Sequence, residues 1–154
     1  MKERSYDVEG ARFALVVSRF NGDVVSKLQQ AALETLERHQ VAKENITVVP
    51  VPGAFEIPLM AKHLAKNGSF DAVITLGAVI RGGTPHFDYV AGECARGVAE
   101  VARETGVPII FGVLTTDDRD QALDRAGGAQ GNKGSESAIA AMDMVTTLRG
   151  LAGR

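Results

Sequence analysis

Four short runs of mostly β-branched apolar residues alternate with longer stretches in which apolar residues recur every three or four positions. The runs cover residues 13–17, 46–51, 72–80 and 109–114. Each run is apolar at consecutive positions, which is typical of strands in a parallel sheet that is covered on both faces. The pattern therefore predicts four parallel strands.

Five helices are predicted from the periodicity of the remaining stretches. The first carries Val24, Val25, Leu28, Ala32 and Leu36, and the second carries Leu59, Met60, Leu64 and Ala65 before Asn67-Gly68. The third spans Val90 to Ala102 and stops at Gly106, and the fourth runs from about Asp118 to Ala126. The fifth starts at Asn132 or Lys133 and carries Ile139, Met142, Val145 and Leu148. The alternation predicts one α/β domain over residues 1–154, with helices on both faces of a four-stranded parallel sheet.

Composition and missing motifs narrow the function classes. The formal net charge of −2 argues against a general nucleic-acid binder. No apolar run approaches the roughly 18 residues of a membrane span, and no signal segment opens the chain, so we expect no membrane partner and a cytoplasmic location. The single cysteine, Cys94, allows neither an internal disulfide nor a cysteine-cluster metal site, and its apolar neighbours predict a core residue. Walker, HExxH, GxSxG and GxGxxG motifs are absent, so neither a cofactor nor a metal is expected.

The segment 77–90 (GAVIRGGTPHFDYV) combines a strand end, a glycine turn and a helix start. Ligands of open α/β sheets lie outside the carboxyl ends of the strands. The backbone N–H groups of such a turn favour an anion, and His86 is suited to proton transfer near neutral pH. Asp88 is predicted either to orient the imidazole or to cap the third helix. The other histidines, His39 and His63, are predicted to be surface residues.

The loops after the first two strands offer further ligand contacts, each with a structural alternative. Phe20 is predicted either to stack on a flat ring or to fold back onto the core. Asn21 suits the cap of the first helix. Glu56, in the proline-bracketed segment 52–58 (PGAFEIP), is predicted either to accept hydrogen bonds from a polyol or to favour the dipole of the second helix.

Two cations near the carboxyl end complete the candidate residues. Arg125 is predicted either to complement the C-terminus of the fourth helix or to hold a phosphate through its forked donors. Lys133 opens the last helix, where a cation is electrostatically unfavourable, so it indicates a ligand or a structural role.

Taken together, the ordered motifs between residues 18 and 134 resemble the lumazine synthase family. The motifs are Ser18-Arg19-Phe20-Asn21, residues 52–58, residues 77–90, residues 111–116 (FGVLTT), and Arg125-Ala126-Gly127 with Gly131-Asn132-Lys133-Gly134. The resemblance implies a flavodoxin-like three-layer α/β/α sandwich, and an N-terminal strand of a neighbouring subunit as an addition to the sheet. It also implies a cofactor-free condensation of 5-amino-6-(D-ribitylamino)uracil with 3,4-dihydroxy-2-butanone 4-phosphate. The product would be 6,7-dimethyl-8-ribityllumazine, the precursor of riboflavin.

The resemblance assigns a role to each matched position. Phe20 would stack on the pyrimidine, and Glu56 would accept hydrogen bonds from the ribityl hydroxyls. His86 would carry protons. The other matched positions are Ala54 and Phe55 along the ribityl chain, Ala78, Val79 and Ile80 at the uracil edge, Gly83, Thr84 and Arg125 at the phosphate, Phe111 from the neighbouring subunit's side of a shared site, and Lys133 and Glu136 in supporting positions.

The resemblance further implies a homo-oligomer, either a pentamer or a 60-mer of twelve pentamers, with riboflavin synthase as a functional partner. Ala129-Gln130 stand where Thr-Lys is usual in the family. Two alternatives stay open: a riboflavin synthase of the archaeal type, which shares the fold, and a non-catalytic flavin-binding or shell protein. The retained His86 and Gly-Thr turn favour the synthase.

Overall fold

All four predicted strands are present in a computed structural model that describes residues 3–153. They are β1 (Phe13–Ser18), β2 (Ile46–Val51), β3 (Ala72–Ile80) and β4 (Ile109–Thr116). They form one all-parallel sheet in the order β2-β1-β3-β4. In the register of this sheet, Phe13 lies opposite Ile46 on one side and Ala72 on the other. The carboxyl ends of the strands therefore lie at one edge of the sheet.

Helices connect the strands and follow the last one. They are α1 (Gly22–Arg38), α2 (Ile57–Asn67), α3 (His86–Thr105), α4 (Arg119–Asp124) and α5 (Lys133–Ala152). The start of α5 agrees with the sequence prediction, and Asn132 caps it by accepting from the backbone N–H groups of Gly134 and Ser135. The helix α3 ends, as predicted, at Gly106, which has a φ of 72°.

Two apolar clusters on opposite faces of the sheet make three layers. In β1, Phe13 and Leu15 belong to the cluster beneath α1 and α5, whereas Ala14 and Val16 belong to the cluster beneath α2 and α3. This alternation follows from the two-residue period of a strand. The arrangement confirms the predicted flavodoxin-like α/β/α sandwich.

Strand β2 departs from the prediction of burial on both faces. Thr47 and Val48 are exposed, Val51 is buried in one core cluster, and the half-buried Ile46 packs against the other. The physical reason is its place at the edge of the sheet, where the helix layers do not cover it. Pro50 fits this position, because a proline is tolerated in an edge strand that does not need its N–H.

The segment after α4 also differs from the prediction. The helix ends at Asp124 rather than Ala126, and the chain then forms a small antiparallel hairpin of β5 (Ala126–Gly128) and β6 (Gly131–Asn132). Gly127 and Gly131 have φ values of 108° and 80°, which end the helical pattern and favour glycine. Arg125 lies between α4 and the hairpin as the C-cap residue of the helix.

A close helix contact fixes the start of α5 against α1. Gly134 is buried, and a Cβ added there would lie 1.9 Å from the carbonyl oxygen of Leu28. The absence of a side chain at Gly134 therefore lets the two backbones touch. This contact sets the position of Lys133, the residue before it.

Not every predicted apolar position is buried. Leu59 of α2 is exposed, as is Leu148 of α5, whereas Ile139, Met142 and Val145 of α5 are buried as expected. None of the helices in the described range 3–153 combines the length and the apolar character that a membrane span requires.

Candidate active site

The loops after β1, β2 and β3 surround a cavity of about 680 Å³, which we call the first cavity. It brings together most of the residues that the sequence singled out. Its lining residues are Phe20, Pro52, Gly53, Ala54, Phe55, Glu56, Ala78, Val79, Ile80, Gly82, Thr84, His86, Phe87, Tyr89 and Val90. The volume is within the usual range of small-molecule pockets, and the lining is largely apolar and aromatic.

Phe20 projects into the first cavity with 71% of its surface exposed, so it does not fold back onto the core. Its backbone N–H donates to the carbonyl oxygen of Pro52 at 3.2 Å. The next residue, Asn21, has a φ of 57° and makes no side-chain cap on α1, contrary to the prediction. Its Nδ2 instead donates to the carbonyl oxygen of Ala78 at 2.8 Å, which ties the loop after β1 to the end of β3.

The proline-bracketed segment places three predicted residues on one wall of the first cavity. Ala54 is buried, Phe55 is 56% exposed and Glu56 is half-buried. Glu56 is the N-cap residue of α2, but its carboxylate makes no cap hydrogen bond. Both roles predicted for it remain compatible with this position, since the carboxylate faces the cavity and also stands at a helix N-terminus.

The turn after β3 leaves several backbone donors free. Within residues 3–153, we find no hydrogen bond from the N–H groups of Gly82, Gly83 or Thr84. A Cβ added at Gly82 or Gly83 would meet no atom within 4 Å, so the turn is open. The first turn of α3 follows at once. Its Asp88 N–H donates to the carbonyl oxygen of Pro85 at 3.0 Å, whereas in the described residues the N–H groups of His86 and Phe87 make no hydrogen bond. Such a combination is suited to binding an anion.

His86 is the first residue of α3 and is exposed at the rim of the first cavity. Asp88 neither orients the imidazole nor caps the helix. Its carboxylate lies 3.4 Å from the guanidinium of Arg81, and the N-cap position of α3 is Pro85. The cause is the direction of the first helical turn, which places Asp88 beside the turn after β3.

Sequence reasoning missed two aromatic residues of the first cavity. Phe87 and Tyr89 both line it, and Tyr89 is 69% exposed. The spacing of Tyr89 is the signal that could have identified it, because residues three apart lie on the same face of a helix and His86 precedes it by three. Gly82 also lines the cavity, whereas Gly83 lies in the same turn without being among the lining residues.

The remaining predicted residues, apart from Gly83, line a second cavity of about 420 Å³ beside the outer strand β4. Its lining residues are Phe111, Val113, Leu114, Thr115, Thr116, Arg125, Gln130, Lys133 and Glu136. Arg125 is exposed, and its Nη1 donates to the carbonyl oxygen of Gln121 at 3.1 Å. Lys133 is half-buried at the start of α5. The backbone N–H of Lys133 donates to the carbonyl oxygen of Arg125 at 2.8 Å, which holds the main chain of the two residues together.

Within residues 3–153, most of the predicted site residues are therefore divided between two separate cavities. The first contains His86 and the aromatic residues, and the second contains Phe111 and the two cations. Strand β2 lies at one edge of the sheet and β4 at the other. Within one chain, Phe111, Arg125 and Lys133 therefore lie apart from His86.

Two further features bear on the chemistry. Within the described residues 3–153, no group of three His, Cys, Asp or Glu side chains lies close enough to hold a metal ion. Cys94 is buried in the α2–α3 core, and burial raises the pKa of its thiol to about 12. This cysteine is therefore a core residue, as predicted.

A comparison with known protein families shows which family the chain matches. A family model described as 6,7-dimethyl-8-ribityllumazine synthase matches residues 10–149. The chain belongs to this family. Membership in the lumazine synthase family implies lumazine formation in riboflavin biosynthesis by an enzyme of the transferase type, acting on small molecules and in an oligomeric assembly. The matched range contains every residue of both cavities.

Proposed function

We propose that this member of the lumazine synthase family condenses 5-amino-6-(D-ribitylamino)uracil with 3,4-dihydroxy-2-butanone 4-phosphate. The products would be 6,7-dimethyl-8-ribityllumazine, phosphate and water, with no cofactor. One observation carries the proposal. A turn whose backbone N–H groups make no hydrogen bond within residues 3–153 lies beside a histidine and an aromatic cavity at one end of the sheet. One end of this cavity suits a flat ring, and the other suits a phosphate.

The ring end is formed by Phe20 and by the strand end at residues 78–80. The exposed ring of Phe20 offers a flat apolar face to a pyrimidine. Residues 78–80 would meet the edge of the uracil through backbone groups. The ribityl chain would extend along Ala54 and Phe55, and the half-buried carboxylate of Glu56 would accept hydrogen bonds from its hydroxyls.

The phosphate end is the turn at residues 82–84 with the start of α3. Its free N–H groups would bind the phosphate oxygens. The 5-amino group of the ribitylaminouracil attacks the ketone and forms an imine with loss of water. Elimination of phosphate leaves an enol, which tautomerises to a ketone. The ribityl-bearing amine attacks this carbonyl and closes the second ring with loss of a second water. Each step moves a proton, and His86 stands beside the turn where a proton carrier is needed. Positioning the two substrates supplies the rest of the acceleration.

The second cavity enters this proposal as the contribution of a neighbouring copy. Its aromatic residue, Phe111, and its cations, Arg125 and Lys133, match family positions but lie apart from His86 in the same chain. A head-to-tail contact that brings the β4 side of one copy to the first cavity of the next would unite them, and repetition of such a contact closes a ring. Arg125 would then bind the phosphate from across the interface, with Lys133 and Glu136 supporting it.

The assembly is proposed to be a pentamer or a 60-mer of twelve pentamers. The unpaired edge of β2 supports an added N-terminal strand from a neighbouring subunit, because free edges of sheets are usually paired or covered. The loop from Gly127 to Gly131, which forms a short hairpin, has no insertion, and in this it resembles the family members that form full shells. A riboflavin synthase as functional partner and a cytoplasmic location belong to the same proposal.

The test is to mix the two substrates with purified protein and to follow lumazine absorbance and released phosphate together. We expect one phosphate per lumazine, with turnover that falls by about 10² to 10⁴ in His86→Ala. Supplying the lumazine alone distinguishes the alternative enzyme. Riboflavin formed from lumazine alone would indicate a riboflavin synthase, and binding without turnover of either substrate would indicate a non-catalytic protein.

A further inference from the structure

We propose that Arg81 is a positioning residue that holds the turn at residues 82–84 and the start of α3 in place through two carboxylates, without contacting the substrates. The inference deepens the proposed function and rests on it. It concerns a cluster at the edge of the first cavity, made of Arg81, Phe87, Asp88 and Asp117, which we call the Arg81 cluster; of these residues only Phe87 lines the cavity.

The contacts of the guanidinium reach two separate elements. Its Nε donates to Oδ1 of Asp117 at 3.1 Å, in the loop between β4 and α4. Its Nη1 lies 3.4 Å from Oδ1 of Asp88, in the first turn of α3. Its Cζ stands 4.4 Å from the centre of the Phe87 ring, which lines the first cavity. One side chain thus links the turn, the helix that begins with His86, and the neighbouring loop.

Asp117, which accepts from the Arg81 guanidinium, and the main chain of Arg81 are both held by hydrogen bonds. The backbone N–H of Arg81 donates to the carbonyl oxygen of Thr116 at 2.8 Å. Asp117 in turn donates its own N–H to Oε1 of Gln121 at 2.9 Å. The acceptor for the Arg81 guanidinium is therefore held by strand β4 and helix α4, which are parts of the framework rather than of the turn.

The turn itself has little else to hold it. Residues 81–86 are all exposed, and a Cβ added at Gly82 or Gly83 would contact no atom within 4 Å. Within residues 3–153, the N–H groups of residues 82–84 make no internal hydrogen bond. Arg81 is not among the residues that line the first cavity, and its guanidinium is directed to Asp117 and Asp88. These observations favour a role in ordering the turn over a role in binding phosphate.

The two roles make different demands on the side chain. A guanidinium presents several donors in a fixed plane and can bridge two carboxylates, whereas an ammonium is a point charge that cannot do both with the same geometry. If Arg81 orders the turn, Lys is a poor substitute. If Arg81 merely attracts an anionic substrate, Lys preserves the function.

The experiment compares steady-state kinetics of four variants with the wild type: Arg81→Gln, Arg81→Lys, Asp117→Asn and the double variant Arg81→Gln/Asp117→Asn. Arg96→Gln is the matched control, because Arg96 is an exposed arginine of α3 that pairs with Glu93 further along the helix. We expect both Arg81 variants to lose about tenfold to about 100-fold in kcat, since a displacement near 1 Å can cost that much. We expect Asp117→Asn to lose activity in the same direction, and the double variant to be no worse than Arg81→Gln.

Three kinetic results would overturn the inference. The first is full activity in Arg81→Lys together with a KM for the phosphate substrate that is raised only in Arg81→Gln. The second is additive losses of kcat in the double variant, and the third is a loss in Arg96→Gln as large as in Arg81→Gln.

Amide hydrogen exchange separates a failure of this inference from a failure of the proposed function. The amides of the second turn of α3, which donate to the carbonyl oxygens of the first turn, should exchange faster in Arg81→Gln and Arg81→Lys than in the wild type, whichever reaction the protein catalyses. Unchanged exchange there would contradict the inference even if lumazine formation is confirmed.

Discussion

Replacement of Phe20 by alanine should separate ligand binding from stability. The ring is 71% exposed and lies in the first cavity, so the folded chain loses few packing contacts when it is removed. The backbone around it is fixed independently, by the 3.2 Å hydrogen bond from its N–H to Pro52 and by the Asn21–Ala78 link. We therefore expect the free energy of unfolding to change by less than about 0.5 kcal/mol.

Phe20→Ala should weaken the binding of the ring-bearing substrate, the ribitylaminouracil. Stacking of a base on an aromatic side chain contributes about 1–3 kcal/mol, which corresponds to an increase in KM of about fivefold to about 150-fold. The KM of the phosphate substrate should change much less. Steady-state kinetics with each substrate varied in turn, together with thermal unfolding, measures both quantities on the same preparation.

Two controls make this prediction sharp. Leu59→Ala removes an apolar side chain that is 75% exposed and lines neither cavity, so its KM values should match those of the wild type. Phe13→Ala removes a fully buried ring of β1 and should cost about 3–5 kcal/mol of stability. The reasoning is refuted if Phe20→Ala unfolds like Phe13→Ala, or if its KM for the uracil stays at the wild-type value.

Three further predictions follow from other parts of the structure. Arg125→Ala should raise the KM of the phosphate substrate by about tenfold to about 150-fold and leave that of the uracil nearly unchanged, and equal effects in the same kinetic assay would count against a phosphate contact. Gly134→Ala should lower the free energy of unfolding, measured by denaturant unfolding, by about 1–3 kcal/mol, because the added Cβ would overlap the Leu28 carbonyl oxygen. Gly150→Ala in the same helix meets no atom within 4 Å and should be neutral or stabilising, and equal losses in both variants would exclude that overlap as the cause. Cys94 should resist iodoacetamide near pH 7 until the chain unfolds, because its thiol is buried with a pKa of about 12; rapid labelling of the folded protein, followed by mass spectrometry, would disagree.

The sequence was sufficient to predict the succession of strands and helices along the chain, since apolar runs and helical periodicity are local properties. It was insufficient for the exposure of β2, which depends on the place of that strand at the edge of the sheet. Pro50 was the local signal for an edge strand. The hairpin after α4 was missed because Ala126 continues a helical pattern, and only the positive φ values of Gly127 and Gly131 show where that pattern ends.

The candidate site was partly predictable for a similar reason. Residues that follow the strands were expected to meet, and the loops after β1, β2 and β3 do surround one cavity. The side-chain partners were harder to predict, because they depend on directions in space. Asp88 pairs with Arg81 rather than with His86, and the side chain of Asn21 donates to Ala78 rather than capping its own helix. The division into two cavities could not be foreseen from spacing along the chain.

The central claim is that His86 of one copy acts together with Arg125 of another. Coexpression of His86→Ala with Arg125→Ala tests it, with turnover measured at a low concentration of the phosphate substrate. Random assembly should leave about a quarter of the shared sites with both native residues, so the mixed assembly should regain about a quarter of the wild-type activity. Activity no higher than the average of the two single variants would place the complete site within one chain and contradict the account.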